Sequence, residues 1–395
     1  MTTATVEQPQ SLAGARERAL AKLVQRLVGS KPEIPCSFKF PSGYTLSCGD
    51  GQPEFQLEIL DHRGIAALQS LDELRICEAY LEGALNFKGD LRKAVALREQ
   101  LNDQSFLITL WRRLQPLLIG RAKANENWVQ NHYDLNNIQL TFLDTAYNTY
   151  TPGVFEDESE TLETASERKH RLAFEGLGLQ PGDRLLDIGF GWGSFLRYAA
   201  RRGVRVTGIT LSRHQLQYTE ELARREGLDA ELSYADFFEF EPREKFDGVS
   251  MLGVIEEIAD YQAAMRRVAR WVKPGKRVYL DFMAATRDFI FPAFISKYIY
   301  QGGTSRVYLP KFVEAVTQSP FELLALHNDR RNYYLTTKHW YENFERNQQT
   351  IREQFGERLY RMFRLYLAGN PVMLDHPSRL TTAYRILLEL PADRA

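Results

Sequence analysis

Asp187, Gly189, Gly191 and Gly193 stand at alternate positions in Leu185-Leu186-Asp187-Ile188-Gly189-Phe190-Gly191-Trp192-Gly193-Ser194-Phe195. Glycine tolerates backbone angles that other residues avoid, so three of them here let the chain turn tightly and let a ligand lie against bare main chain. The run lacks the sixth-position glycine of the dinucleotide fingerprint, and its carboxylate lies inside the motif, two residues before the first glycine. A carboxylate at that point can pair with an amino group. The spacing therefore suits S-adenosylmethionine better than NAD, while a merely tight structural turn is the plainer alternative.

The elements around the turn must present it at a sheet edge. Apolar residues from Arg184 to Ile188 read as a buried parallel strand, and Phe195 to Arg201 resumes as a helix. The same rhythm continues with strands over Val204–Leu211, Ala230–Tyr234, Phe246–Leu252 and Arg277–Met283. Helices are expected over His214–Glu226 and Tyr261–Val272, the latter stopped by Lys273-Pro274-Gly275. Alternation at this pitch predicts an α/β fold with a parallel sheet covered on both faces, and such sheets bind ligands beyond the carboxyl ends of their strands. Downstream, His339–Tyr366 reads as one amphipathic helix and Ala383–Leu390 as a last strand.

Upstream, Leu12–Val28 has helical apolar spacing among basic residues; a helix packed on its own domain is preferred to a membrane-binding face. Short strands follow at Cys36–Phe40, Thr45–Cys48 and Phe55–Leu60, then helices at Arg63–Gln69, Leu71–Glu82 and Leu91–Leu101. Together they make a small α+β unit. Phe106–Ala124 mixes aromatic and basic residues in the manner of an interfacial helix, but Pro116 interrupts it, which favours a connector. The expected division is 1–104 for the α+β unit, 105–130 for a helical linker and 131–395 for the larger α/β domain.

A net charge of −1 gives no reason to expect nucleic acid as a partner. Three cysteines, Cys36, Cys48 and Cys77, show no C-x-x-C and no nearby histidine pair, and read as packing residues in a reducing cytosol. No metal site is expected. The first residues are polar and lack the apolar core of a signal peptide.

Taken in order, several stretches resemble the cyclopropane fatty acid synthase family of S-adenosylmethionine-dependent methyltransferases. They are His132-Tyr133-Asp134-Leu135, Thr149-Tyr150-Thr151, Pro181-Gly182 with the glycine run, Gly208-Ile209-Thr210-Leu211-Ser212 with Gln215, Gly253-Val254-Ile255-Glu256, Lys273-Pro274-Gly275, and Lys297-Tyr298-Ile299 before Gly302-Gly303. Leu71-Asp72-Glu73-Leu74, Glu78-Ala79-Tyr80 and Gly89-Asp90 are similar to the lipid-binding-like N-terminal domain of bacterial members. The resemblance implies a Rossmann-like class I methyltransferase domain. It also implies cofactor contacts from Tyr150, Thr151, Asp187, Gly189, Gly191, Gly193, Thr210, Ser212, Gln215, Asp236 and Phe237. Thr210, Ser212 and Gln215 leave the second strand of the parallel sheet where ribose and methionine groups need partners, although Thr210 and Ser212 also suit a helix cap. Asp236 follows the next strand in a position to read adenine.

The chemistry implied is methyl transfer to the double bond of an unsaturated acyl chain, on a phospholipid. An alkene is a poor nucleophile, so it must be held in line with the methyl group, and water must be kept from the carbocation that forms. Aromatic faces stabilise such a cation; Phe282, Phe294, Tyr298, Tyr333 and Tyr334 are candidates. Family members use a bound bicarbonate ion as base. Glu256 and Tyr333 match its ligands, but the cysteine after the Tyr-Ser pair is here Pro152, the histidine on a later strand is Asp281, and Glu-His is Glu256-Glu257. Pro152 has no N–H to donate, and the Asp281 carboxylate would repel an anion. Asn370 stands at the place of a late cysteine. The catalytic set expected from the resemblance is Glu256, Asp281 and Tyr333, with Asp281 either replacing bicarbonate as base and raised by nearby Glu256, or serving as a structural hydrogen-bond partner at a strand end.

Proton loss from one cation can yield a cyclopropane, a methylene or a methyl branch, and the altered base site leans to the branched products. The alternatives are a methyltransferase for a soluble metabolite and a catalytically silent binder of lipid or S-adenosylmethionine. A cytoplasmic protein attached peripherally to the inner face of a membrane, able to form a homodimer, completes the expectation.

Overall fold

The computed structural model describes residues 14–29, 32–100, 137–287, 291–300 and 307–394. The expected helix at Phe106–Ala124, the linker 105–130, His132-Tyr133-Asp134 and Gly302-Gly303 lie outside the described residues.

Two sheets organise the chain. The first holds β1 (Cys36–Lys39), β2 (Thr45–Cys48), β3 (Phe55–Ile59) and β4 (Leu85–Gly89) in the order β2-β1-β3-β4. Helices Ala15–Val28, His62–Ser70 and Glu73–Leu81 accompany it. Asp61 and Asp72 cap the last two by accepting from the main chain of the first turn. Strand β4 has no strict alternation and its glycine end is exposed, which hides it in the sequence. The expected helix from Leu91 ends at Val95 and tightens to a 3-10 turn over Ala96–Gln100. Cys36 and Cys48 face each other across β1 and β2, buried as free thiols.

The second sheet is built from β5 (Arg184–Ile188), β6 (Arg205–Thr210), β7 (Ala230–Tyr234), β8 (Phe246–Leu252), β9 (Val272–Ala285), β11 (Glu322–Asn328) and β12 (Thr381–Glu389), with the two-residue β10 (Val307–Tyr308) beside β9. Its order is β11-β12-β9-β8-β5-β6-β7. Strands β5 to β9 pair in parallel, whereas β12 runs antiparallel to both β9 and β11. A parallel sheet wound in both directions from β5, completed by the antiparallel strand β12 between β9 and β11, is the class I methyltransferase arrangement. Reversal of winding between β5 and β8 opens a crevice at their carboxyl ends, where ligands bind in such sheets. Both faces are packed: Leu186, Val249, Val268 and Leu280 lie in one apolar core, and Leu185, Leu196, Val206 and Tyr279 in another.

The tail is not one helix. It comprises Arg330–Arg346, Gln348–Phe355 and Glu357–Asp375, interrupted at Asn347 and at Gly356, whose φ of +83° no helix accommodates. Phe344, Tyr360, Phe363 and Leu367 from these helices pack with Leu81 and Leu91, joining the two sheets in one core cluster. Arg364 reinforces that junction by donating to the Phe87 and Gly89 carbonyls.

Candidate active site

A cavity of about 190 Å³ lies beyond the carboxyl ends of β5, β6, β7, β8 and β9. Its floor is the turn after β5. Gly189, Gly191 and Gly193 adopt φ of +65°, +56° and +77°, the left-handed region that disfavours side chains. A Cβ at Gly189 would come within 2.5 Å of Val254, whereas at Gly191 it would meet only the Gly189 carbonyl oxygen, at 4.0 Å, so the loop leaves main chain bare on the cavity side. Asp187 is 2% exposed and accepts a 2.6 Å bond from the Ser250 hydroxyl. Burial pushes its carboxyl up to about 7, the largest influence on it.

The walls come from the other strand ends. Thr210 and Gln215 line the cavity, and Asp236 lines it while accepting a 2.7 Å bond from the Phe238 N–H, which fixes its turn. Phe237 stands beside it. Ser212 and Gly193 do not line the cavity: the Ser212 hydroxyl accepts from the Gln215 N–H at 3.2 Å, capping the helix Arg213–Glu226, and a Cβ on Gly193 would meet Thr219 at 2.7 Å. They hold the wall from behind.

Tyr150, Thr151 and Pro152 arrive on a loop that two anchors fix. Asp144 accepts from the Tyr147 and Thr149 N–H groups at 2.6 and 2.7 Å, and the Gly153 N–H donates to Thr336 Oγ1 at 2.9 Å. Tyr150, Tyr300 and Tyr366 join through their hydroxyls, 3.3 Å for Tyr150–Tyr366 and 3.0 Å for Tyr300–Tyr366. With Phe282 and Tyr333 they give the cavity an aromatic side. Of the other aromatic candidates, Phe294 lines a separate cavity, Tyr298 donates to Glu78 and Tyr334 lies at another surface pocket.

Glu256, Asp281 and Tyr333 all reach the cavity. Glu256 accepts a 2.7 Å bond from the Met283 N–H and is buried; burial first, and the Asp281 charge second among the raising influences, lift its carboxyl to about 8. Asp281 itself faces a cation that the sequence did not announce. Lys169 Nζ lies 2.8 Å from Asp281 Oδ2, both side chains nearly inaccessible, and also donates to Thr151 Oγ1. Asp281 Oδ1 has no hydrogen-bond partner among the described residues. A buried carboxylate needs such compensation, since desolvation of two unpaired charges would cost several kcal/mol per ion, ~5 or more.

The residues present fit S-adenosylmethionine: a carboxyl, a bare-glycine floor and polar groups at the second and third strand ends. They do not fit a bicarbonate ion. Pro152 offers no N–H, and a fixed carboxylate stands where an anion's ligand was expected. Sequence reasoning missed Lys169, Tyr300 and Tyr366. The helix Leu162–Leu177 buries Leu162, Ala165, Lys169, Ala173 and Leu177, a helical stripe in which Lys169 is the one cation. That spacing was the available signal.

Comparison with known proteins agrees with the geometry. Sphingolipid C9-methyltransferase B of Emericella nidulans is 28% identical over 328 residues, 79% of this chain and 64% of that protein. A probable fatty acid methyltransferase of Mycobacterium tuberculosis is 30% identical over 273 residues, 67% of this chain and 63% of the relative. Both matches span less than two thirds of the relative's length. The crystal structure of mycolic acid cyclopropane synthase CmaA1 complexed with SAH and CTAB superposes with a TM-score of 0.61 at 25% identity, covering 67% of this chain and 97% of that one. The family model described as mycolic acid cyclopropane synthetase matches residues 121–378, and the chain belongs to that family.

Proposed function

We propose that the protein is an S-adenosylmethionine-dependent C-methyltransferase that adds a methyl-derived carbon to the double bond of an unsaturated acyl chain carried by a lipid. The observation that carries this reading is the meeting of the glycine floor, the aromatic side and the buried Lys169–Asp281 pair in one cavity. The cofactor, when bound, supplies an electrophilic methyl group. Asp187 receives its amino group, and Thr210, Gln215 and Asp236 its ribose and adenine.

The protein's remaining task is to guide a carbocation. Phe282, Tyr300, Tyr333 and Tyr366 offer ring faces that stabilise positive charge without reacting with it. Asp281 Oδ1 accepts the proton that the cation must lose, while Lys169 balances the carboxylate in the resting state. Glu256, with a carboxyl near 8, is mostly protonated at neutral pH and adds no second negative charge beside Asp281. A covalently attached base then takes the part that bound bicarbonate has in the related mechanism. The product, ring or branch, follows from which C–H faces Asp281.

The relatives named as sphingolipid C9-methyltransferases support a sphingoid chain as a second substrate class. Purified protein incubated with S-adenosylmethionine and vesicles carrying either an unsaturated phospholipid or an unsaturated sphingolipid separates the two. One lipid is expected to gain a CH2 unit in its mass spectrum with release of S-adenosylhomocysteine, and catalytic hydrogenation then distinguishes ring from branch. Cofactor turnover with no mass gain in either lipid overturns the reading.

A further inference from the structure

A second cavity, of about 200 Å³, lies between the first sheet and the last helix. Phe38, Leu57 and Phe87 come from that sheet, Leu23 from the helix Ala15–Val28, and Leu365 and Met373 from Glu357–Asp375. Its lining is almost wholly apolar. Among the described residues that line it, the two charged ones, Glu73 and Arg98, pair with each other at 3.3 Å. Packed interiors have few voids larger than a water molecule, and dry apolar cavities of ~150 Å³ take up apolar guests.

This cavity adjoins the reaction cavity. Tyr366 belongs to the walls of both. A smaller space of about 30 Å³ lies at their junction, sharing Met283, Tyr300 and Tyr333 with the reaction cavity and Ile295, Asn370 and Met373 with the apolar one. A guest that enters from the reaction cavity must therefore be thin, flexible and apolar.

We propose that the cavity beneath the first sheet receives the methyl-terminal segment of the reacting acyl chain, so that the N-terminal unit measures how many carbons lie beyond the double bond. The inference rests on the acyl-chain reading above. The methyl end is the one assigned because a phosphate or sugar headgroup in this lining would lose its hydration with little beyond the Asn370 amide to replace it. The double bond sits at the aromatic side, beside Asp281, and the carbons past it run between Tyr366 and Met373. Position of methylation is then fixed by counting from the chain's end.

Gly369 provides the test. It lies in the last helix, on the cavity wall, with φ outside the left-handed region, and a Cβ built on it meets nothing within 4 Å. Gly369→Phe therefore adds a ring on the cavity wall from a Cβ position that is itself free of contacts, and replaces a poor helix former. Two phosphatidylglycerols are offered in vesicles, identical in headgroup, second chain and carboxyl-to-double-bond distance, but differing in the length of the segment beyond the double bond. The variant is expected to lower kcat/KM for the long-segment lipid relative to the short-segment one on the order of a hundred-fold, the worth of about three or four buried methylenes. An unchanged ratio overturns the proposal. So does a ratio that follows the length of the unreactive second chain, which would place that chain in the cavity instead.

A binding measurement keeps this separate from the fate of the catalytic reading. A conjugated polyene fatty acid that fluoresces in apolar surroundings is titrated into wild type and Gly369→Phe without S-adenosylmethionine. Weaker binding to the variant, on the order of ten-fold, supports the subsite even if no lipid is methylated; equal binding overturns it.

Discussion

Lys169 and Asp281 form an ion pair of 2.8 Å with both side chains buried, between the helix Leu162–Leu177 and the interior strand β9. The pair ties stability to chemistry. Lys169→Met leaves Asp281 buried without its cation and should destabilise the fold by ~3–5 kcal/mol in urea unfolding, while the double variant Lys169→Met/Asp281→Asn should recover a large part of that loss. Strictly additive losses would mean that the two groups do not interact. Asp281→Asn alone should lower turnover by about 10²–10⁴-fold, retain cofactor affinity, and be indifferent to added bicarbonate.

Asp187 predicts proton-linked cofactor binding. Its carboxyl sits at about 7 because it is buried, so in the free protein below that value it is mostly protonated. An ammonium group placed beside it favours the ionised form, and binding then expels a proton. Calorimetric titrations of S-adenosylhomocysteine at about pH 6, in buffers of different ionisation enthalpy, should show proton release approaching ~1 per site, fading above about pH 8. Asp187→Asn should remove the buffer dependence and weaken binding. Identical heats in all buffers for wild type would place the amino group elsewhere.

Glu256 makes a prediction about stability without ligand. Its folded value of about 8 lies above the ordinary 4.5, so the native state holds a proton that the unfolded chain has released across that interval. Stability therefore declines as pH rises from about 4.5 to about 8, at up to ~1.4 kcal/mol per pH unit for one group, and the loss is complete above the folded value. Asp187 acts in the same direction at lower pH, from its ordinary 3.8 to about 7. Between about pH 7 and about pH 8 the slope belongs mainly to Glu256, and Glu256→Gln should flatten it in chemical denaturation. A variant with the wild-type slope would assign the titration to another group.

The sequence made the floor and walls of the site legible because each is local. Asp187, Gly189 and Thr210 lie within a residue of strand ends, Gly191 and Gly193 follow in the same turn, and buried parallel strands announce themselves as apolar runs. What escaped was non-local or weakly patterned. Lys169 sits in LETASERKHRLAFEGL, a segment so charged that its lysine reads as solvated, and only its place on the Leu162-Ala165-Lys169-Ala173 face marks it as buried. Strand β11 is mostly exposed along its length, and its short apolar run Leu323–Leu326 shows no period that separates a strand from a helix. The three-helix tail read as one helix because apolar spacing continues across Asn347 and Gly356 while the axis does not.

Arg364 should be the stability hinge between the first sheet and the last helix. Its guanidinium makes two 2.9 Å bonds to the Glu345 carboxylate, through Nε and Nη2, and donates to the Phe87 and Gly89 carbonyls at 3.0 and 3.3 Å. Its side chain is 8% exposed. Removing one partner of a buried pair costs more than the pair contributes, because the other charge and the carbonyls remain without donors. Arg364→Met should therefore cost ~3–5 kcal/mol, and Glu345→Gln, which keeps one acceptor, less. Arg364→Lys should fall near Met, since an ammonium cannot span a bidentate carboxylate and two carbonyls at once. Hydrogen exchange of the β4 amides reports the junction directly: faster exchange in Arg364→Met than in Glu345→Gln is the expected order, and protection equal to wild type in both would show that the apolar contacts of Leu81 and Leu91 alone hold the first sheet in place.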